Sequence, residues 1–176
     1  MFNEYIKPLI VLTAICLFFS AALAVVNNMT EPVIAEAAGE RANTAMRGII
    51  PEATGFEAID LSTFDNIPDT VKEAYYTENN VGYIFIAGVS GYSGEISIIC
   101  AIDSEGQIIA VSTLSHTETQ GIGTIIEQES FLTQFTSADS NLVGVDTVTG
   151  ATISTSAFIR AIGDVFIAYE KVEVDR

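Results

Sequence analysis

Glu95-Ile96-Ser97-Ile98-Ile99-Cys100-Ala101-Ile102 is apolar at nearly every position. A strand with one face in the core alternates apolar and polar residues, so this unbroken run marks a strand covered on both faces and central in its sheet. Runs rich in β-branched and aromatic residues flank it at Val71 to Thr77, Val81 to Val89 and Gln107 to Leu114. Turn-forming residues separate them: Asn79-Asn80, Gly91 to Gly94, and Asp103-Ser104-Glu105-Gly106. Four such runs predict an antiparallel meander. Just before it, residues 56–70 contain Asp60, Asp65, Asn66, Pro68 and Asp69 and read as irregular, or as a short strand between turns.

A central strand needs helical cover, and two segments offer it. One is Ile122 to Gln134. The other follows Thr152, where Phe158, Ile162, Val165, Phe166 and Tyr169 fall at the i, i+4, i+7, i+8, i+11 spacing of an amphipathic helix. The expected class is α+β: an N-terminal transmembrane helix, then a domain with a largely antiparallel sheet covered by helices.

The membrane helix is read from Pro8 to Val26, 19 residues without a charge. As a helix this run spans roughly 28 Å, against a hydrocarbon core of about 30 Å. The competing reading is a cleaved signal peptide, with Lys7 before the apolar run and Ala22-Leu23-Ala24 as the cleavage site. Continuation of the run to Val26 favours retention. A lipoprotein box at Cys16 is disfavoured by Ile15, where a small residue is wanted. Lys7 lies before the anchor, and Glu31, Glu36 and Glu40 follow it ahead of Arg41, so the N-terminus is expected in the cytoplasm and the domain outside. The expected plan is a membrane anchor over 1–28, a connecting helix over 29–55 and an extracytoplasmic domain over 56–176, in a single-pass protein of the cell (inner) membrane. In the connecting segment Thr30 reads as a helix cap, Ile34, Ala38, Ala42, Ala45 and Ile49 as an apolar face, and Pro51 and Gly55 as the stop.

Charge removes some function classes. The net charge is −16, with six basic against 22 acidic residues after Lys7, which argues against nucleic acid and against anionic lipid surfaces as partners. Membrane lipid enters as a partner only around the anchor. Cys16 falls in the anchor and Cys100 in a strand, so no disulfide framework is expected, and one histidine with no cysteine cluster gives no metal site.

The second informative stretch is Asp146-Thr147-Val148-Thr149-Gly150-Ala151-Thr152-Ile153-Ser154, where a hydroxyl stands at the entrance to the terminal helix. Such an entrance exposes unpaired N–H groups and the positive end of the helix dipole, and so favours phosphate without a lysine or arginine. Gly150 and Ala151 leave room for close approach. By helix-start rules alone, Thr152 reads as an ordinary N-cap.

These residues resemble the attachment motif of the FMN-binding domain family, an aspartate, a short spacer and then Ser/Thr-Gly-Ala-Thr, supplied here by Asp146 and Thr149 to Thr152. A second block, His116-Thr117-Glu118-Thr119-Gln120-Gly121-Ile122-Gly123, is similar to the family's His-x-Glu-Thr-Pro-Gly-x-Gly stretch, with Gln120 in place of proline. Gly91-Tyr92-Ser93-Gly94 is similar to its Gly-Tyr-x-Gly lead-in to a strand. The likeness covers most of Gly82 to Phe166.

The resemblance implies FMN esterified through its phosphate to Thr152. It also implies recognition of Asp146 by the flavin transferase that moves FMN from FAD, with a divalent metal belonging to that reaction. His116, Glu118, Thr119, Gly121 and Tyr92 are the residues it sets near the flavin. Read without it, His116 caps a turn, Glu118 is a solvated charge and Thr119 a helix cap. The chain further resembles the G subunit of Rnf-type complexes, which implies an electron carrier with other membrane subunits as partners, passing electrons between ferredoxin and NAD in an ion-translocating oxidoreductase. The C subunit of sodium-pumping NADH:quinone reductase shares the motif but is longer. The alternatives are a non-redox assembly subunit and a stand-alone enzyme. A hydrolase is disfavoured: His116 and Asp146 could serve a nucleophile, but the chain has no nucleophile elbow.

Overall fold

The computed structural model describes residues 2–174, with side chains from residue 7 onward except that of Ala35. The chain divides into two compact units, residues 1–41 and residues 42–176. Helix α1 runs Phe2–Ile49, and residues 7–34 of the first unit are exposed along its length. It is a helix long and apolar enough to cross a membrane. Thr30 lies inside α1 rather than capping it. Its hydroxyl donates back to the carbonyls of Val26 (3.0 Å) and Asn27 (3.2 Å), which leaves no role as a helix start. The helix stops before Pro51, whose ring disfavours helical backbone at the preceding residue.

The second unit holds β1 (Phe56–Ile59), β2 (Val71–Thr77), β3 (Gly82–Ser90), β4 (Glu95–Asp103) and β5 (Ile108–His116), then α2 (Glu129–Leu132) and α3 (Thr152–Val174). The sheet is antiparallel with strand order β1-β2-β3-β4-β5, so each strand pairs with its neighbour in sequence. In the central register Cys100 of β4 faces Phe85 of β3 and Val111 of β5.

Both faces of β4 are indeed covered. On one face Phe85, Ile96, Ile98, Cys100 and Ile102 pack with Phe158, Ile162, Val165, Phe166 and Tyr169 of α3. On the other, Ile84, Ile86, Ile99 and Ala101 pack with Ala42, Met46 and Ile50. The second cover comes from the last turns of α1 and the residue after it, a role that the sequence does not announce. Its inward stripe is Ala42, Met46 and Ile50, while Ala45 and Ile49 are only half-buried and Ile34 and Ala38 are exposed.

The segment expected as one helix over Ile122 to Gln134 is instead broken into a 3-10 turn (Gly123–Glu127), α2 and a second 3-10 turn (Thr133–Phe135). Its job is local. Phe131 and Phe135 stack with Phe158 of α3, ring centroids 5.3 to 5.4 Å apart, and so fix the first turns of α3. The exposed edge of β5 is closed by the following loop, with Ile108 N–H donating to Ala138 O (2.9 Å) and Ser137 N–H to Ile108 O (2.8 Å). Both cysteines are free thiols. Burial in β4 pushes the Cys100 thiol pKa up, which keeps it protonated and unreactive.

Candidate functional site

Three segments meet at the start of α3: the turn between β3 and β4, the loop after β5, and residues 150–154. Together they line a cleft of about 410 Å³ with Tyr92, Glu118, Thr119, Ile122, Gly123, Gly150, Ala151, Thr152, Ile153 and Ser154. The size suits a small-molecule ligand. Six residues singled out in the sequence therefore come together here: Tyr92, Glu118, Thr119, Gly150, Ala151 and Thr152. Four others, Asp146, Thr149, His116 and Gly121, are not part of this lining. Ile122, Gly123, Ile153 and Ser154 also line it; all four lie inside the motif stretches, but none is named there as a site residue.

Thr152 is the first residue of α3, with Ala151 in the cap position. It is exposed, and its hydroxyl makes no hydrogen bond among the described residues. The cap reading is thereby excluded. Its neighbours are committed: Thr155 Oγ1 donates to Ala151 O (2.9 Å) and accepts from Val148 N–H (3.2 Å), while Ser154 Oγ donates to Glu118 Oε2 (2.5 Å). The first N–H of α3 that closes a helical bond is that of Thr155, to Ala151 O (3.0 Å). The N–H groups of Thr152, Ile153 and Ser154 remain for a ligand or water. Gly150 reaches this entrance with φ of +90°, a left-handed conformation that a side chain would strain.

Glu118 is the tie between the three segments. It is 6% exposed. Besides Ser154, its carboxylate accepts from Ser93 N–H (2.9 Å), and backbone N–H groups of Tyr92 and Gly94 add to the stabilisation of its charge. Burial by itself would raise its pKa. The hydrogen bonds from Ser154 and from the backbone of Ser93, Tyr92 and Gly94 outweigh that and hold the carboxyl below its ordinary range, so it is ionised at neutral pH. Space for it comes from two glycines. A Cβ on Gly91 would lie 2.4 Å from Glu118 Oε1, and one on Gly123 would lie 2.6 Å from Glu118 Cβ.

His116 stands behind this arrangement rather than in the cleft. Its Nδ1 accepts the Glu118 N–H (3.0 Å), which leaves the proton on Nε2, 3.0 Å from Glu127 Oε1. Thr119 Oγ1 lies 3.1 Å from Ser93 Oγ, and Thr119 O accepts from Gly123 N–H (2.8 Å). Gly121, with φ of +77°, donates its N–H to Thr124 Oγ1 (3.0 Å) and shapes the loop. Asp146 and Thr149 are exposed on the segment leading to Gly150, and the backbone N–H of Asp146 is held by Gln134 Oε1 (2.9 Å).

The residues present fit FMN. A flat apolar ring system is matched by Tyr92, Ile122 and Ile153, which are 70%, 55% and 56% exposed around the cleft. The phosphate end is matched by the unpaired N–H groups and the uncommitted Thr152 hydroxyl. Among the described residues there is no cluster that could hold a metal ion.

The FMN-binding domain model matches residues 91–166, a span that runs from the β3–β4 turn through the cleft into α3. Over 172 residues the chain is 29% identical to the G subunit of the ion-translocating oxidoreductase complex of Methanosarcina acetivorans, covering 91% of this chain and 92% of the relative. It is 28% identical over 165 residues to the G subunit of the proton-translocating ferredoxin:NAD(+) oxidoreductase complex of Clostridium ljungdahlii, covering 86% and 84%. A third relative, the G subunit of the Na(+)-translocating ferredoxin:NAD(+) oxidoreductase complex of Acetobacterium woodii, is 29% identical over 126 residues, 65% of this chain and 61% of its own.

Proposed function

We propose that the chain, whose residues 91–166 match the FMN-binding domain model, is a membrane-anchored electron-transfer subunit of an Rnf-type ion-translocating complex, carrying FMN as a phosphoester on Thr152. The observation that carries the attachment is the Thr152 hydroxyl, exposed and without a hydrogen-bond partner at the cleft while Ser154 and Thr155 beside it are engaged. Bound flavin supplies the redox chemistry. The chain's own residues hold its phosphate end against the start of α3, offer apolar contact to the ring through Tyr92, Ile122 and Ile153, and fix the loop through Glu118. A covalent tether also removes the need for a basic phosphate pocket; among the described residues no lysine or arginine lines the cleft.

The direct test is denaturation. Flavin fluorescence that migrates with the polypeptide on a denaturing gel supports the ester, whereas flavin released entirely into solution rules it out. Contact with the ring is tested through Tyr92→Ala and Thr119→Ala, both expected to shift the visible flavin spectrum with the covalent link intact. Unchanged spectra in the two variants would remove those side chains from the ring's surroundings.

In this reading the relatives' ferredoxin:NAD(+) activity belongs to the assembly, and the partners are its other membrane subunits, with a flavin transferase acting once at Asp146 and Thr149 to Thr152. The anchor over 1–28 and connecting helix over 29–55 lead to the domain over 56–176, N-terminus in the cytoplasm and domain outside, as the charges of Lys7 and of Glu31, Glu36 and Glu40 direct. The chain is expected to stay with membranes through a high-salt wash. Release of the full-length chain by salt would remove the anchor.

A further inference from the structure

We propose that Glu118 sets the reduction potential of the cleft's flavin, acting as a fixed negative charge that makes the ring harder to reduce. The inference rests on the FMN reading above and extends it from where the flavin sits to how it is tuned.

Three observations carry it. Glu118 lines the same cleft as Thr152, with its carboxylate buried. Its partners are neutral donors, the Ser93 N–H and the Ser154 hydroxyl. Among the described residues no lysine, arginine or histidine forms an ion pair with it; the nearby histidine, His116, is turned to Glu127. A carboxylate held by dipoles alone keeps its full charge, and because Glu118 is itself buried its field reaches the cleft that it lines.

Each electron delivered to the ring adds one unit of negative charge unless a proton follows it. Placing that charge near a fixed carboxylate costs free energy that the oxidised ring does not meet. Glu118 is thus a positioning residue for the loop and an electrostatic one for the flavin. Ser154 modulates it, because its O–H dipole offsets part of the charge.

The test uses the full-length, flavin-loaded chain in detergent, poised against a mediator-coupled electrode that supplies the electrons. Glu118→Gln keeps an acceptor for Ser93 and Ser154 and removes the charge. At a fixed applied potential it is expected to raise the reduced-to-oxidised ratio about tenfold, on the order of one charge acting across a cleft at an effective dielectric constant of about 20. For a one-electron step that ratio corresponds to about 59 mV. Ser154→Ala removes the offsetting dipole and is expected to move the ratio the opposite way. Glu105→Gln, which removes an exposed charge in the β4–β5 turn, should leave it unchanged.

An unchanged ratio in fully loaded Glu118→Gln overturns the proposal and leaves the FMN reading standing, as does an equal shift in Glu105→Gln. Should Glu118→Gln not load flavin, Ser154→Ala decides: a lowered ratio supports the proposal, and an unchanged or raised one overturns it. A wild-type chain without flavin overturns both readings.

Discussion

Thr152→Ala is expected to give a folded, membrane-bound and colourless protein. Only a hydroxyl can form the phosphoester, so the loss of flavin from the denatured chain should be complete rather than partial. The structural cost is small. Thr152 is exposed, Ala151 holds the cap position, and no hydrogen bond from the Thr152 side chain is lost. Substitutions at such surface sites fall within about 0.5 kcal/mol, against domain stabilities of about 5–15 kcal/mol. The measurement is the flavin-to-polypeptide ratio after denaturation, with the flavin-bearing peptide located by mass spectrometry. Thr147, Thr149, Ser154 and Thr155 should be changed to alanine in parallel, since each is a neighbouring hydroxyl. Covalent flavin persisting in Thr152→Ala would refute the assignment.

The second large effect is expected at Glu118. Glu118→Ala strips the acceptor from the Ser154 hydroxyl and the Ser93 N–H and leaves a void between Gly91 and Gly123. A buried donor left unpaired costs about 1–3 kcal/mol, and since Ser154 is buried while Ser93 is exposed, the variant should lose about 1–3 kcal/mol, a sizeable share of a domain's stability. Acid should imitate the substitution. Burial opposes ionisation of Glu118, but its hydrogen bonds prevail and hold its folded-state pKa below the unfolded value of about 4.3. The unfolded chain then binds the proton more readily. The stabilising contribution is present in full above that unfolded value and is lost as pH falls through the lower folded value. Thermal unfolding of the wild type should consequently drop more steeply below about pH 4 than that of Glu118→Gln. Parallel curves would mean that the carboxylate does not hold the loops together.

How much of this was legible in the chain depends on which physical signal each residue carries. Burial of apolar side chains is periodic, so β4 and the stripe Phe158, Ile162, Val165, Phe166 and Tyr169 could be read directly, and the four strand runs fall within two residues of β2 to β5 at each end. The cover supplied by Ala42, Met46 and Ile50 could not. The unbroken run of β4 calls for a second cover, but the spacing of Met46 and Ile50 does not say that the end of α1 supplies it. The break in the helix after β5 leaves no periodic mark: Phe131 and Phe135 keep the i, i+4 spacing of a continuous helix, while the backbone passes from a 3-10 turn into α2 and back to a 3-10 turn. In the candidate site, the motif blocks point to the loop and to Thr152, but they do not separate a side chain lining the cleft from one bracing the loop. Glu118 and His116 read alike in sequence. Only geometry distinguishes the carboxylate lining the cleft from the imidazole behind it.

The pairing of every strand with its neighbour in sequence also bears on the order in which the molecule assembles. The hairpins from β2 to β5 close over short loops at little entropic cost, and β1 joins over residues 60–70, so the sheet can form early and without waiting for distant chain. Helix α3 is different. It follows all five strands in the chain, and Phe158 must find partners on the segment after β5 and on the sheet. During synthesis, the turn at Gly91 to Gly94 and the loop at His116 to Gly123 emerge well ahead of Thr152. The cleft is therefore completed only after the strands have emerged, and a maturation enzyme that required the finished entrance of α3 would act only on chains whose sheet had already formed.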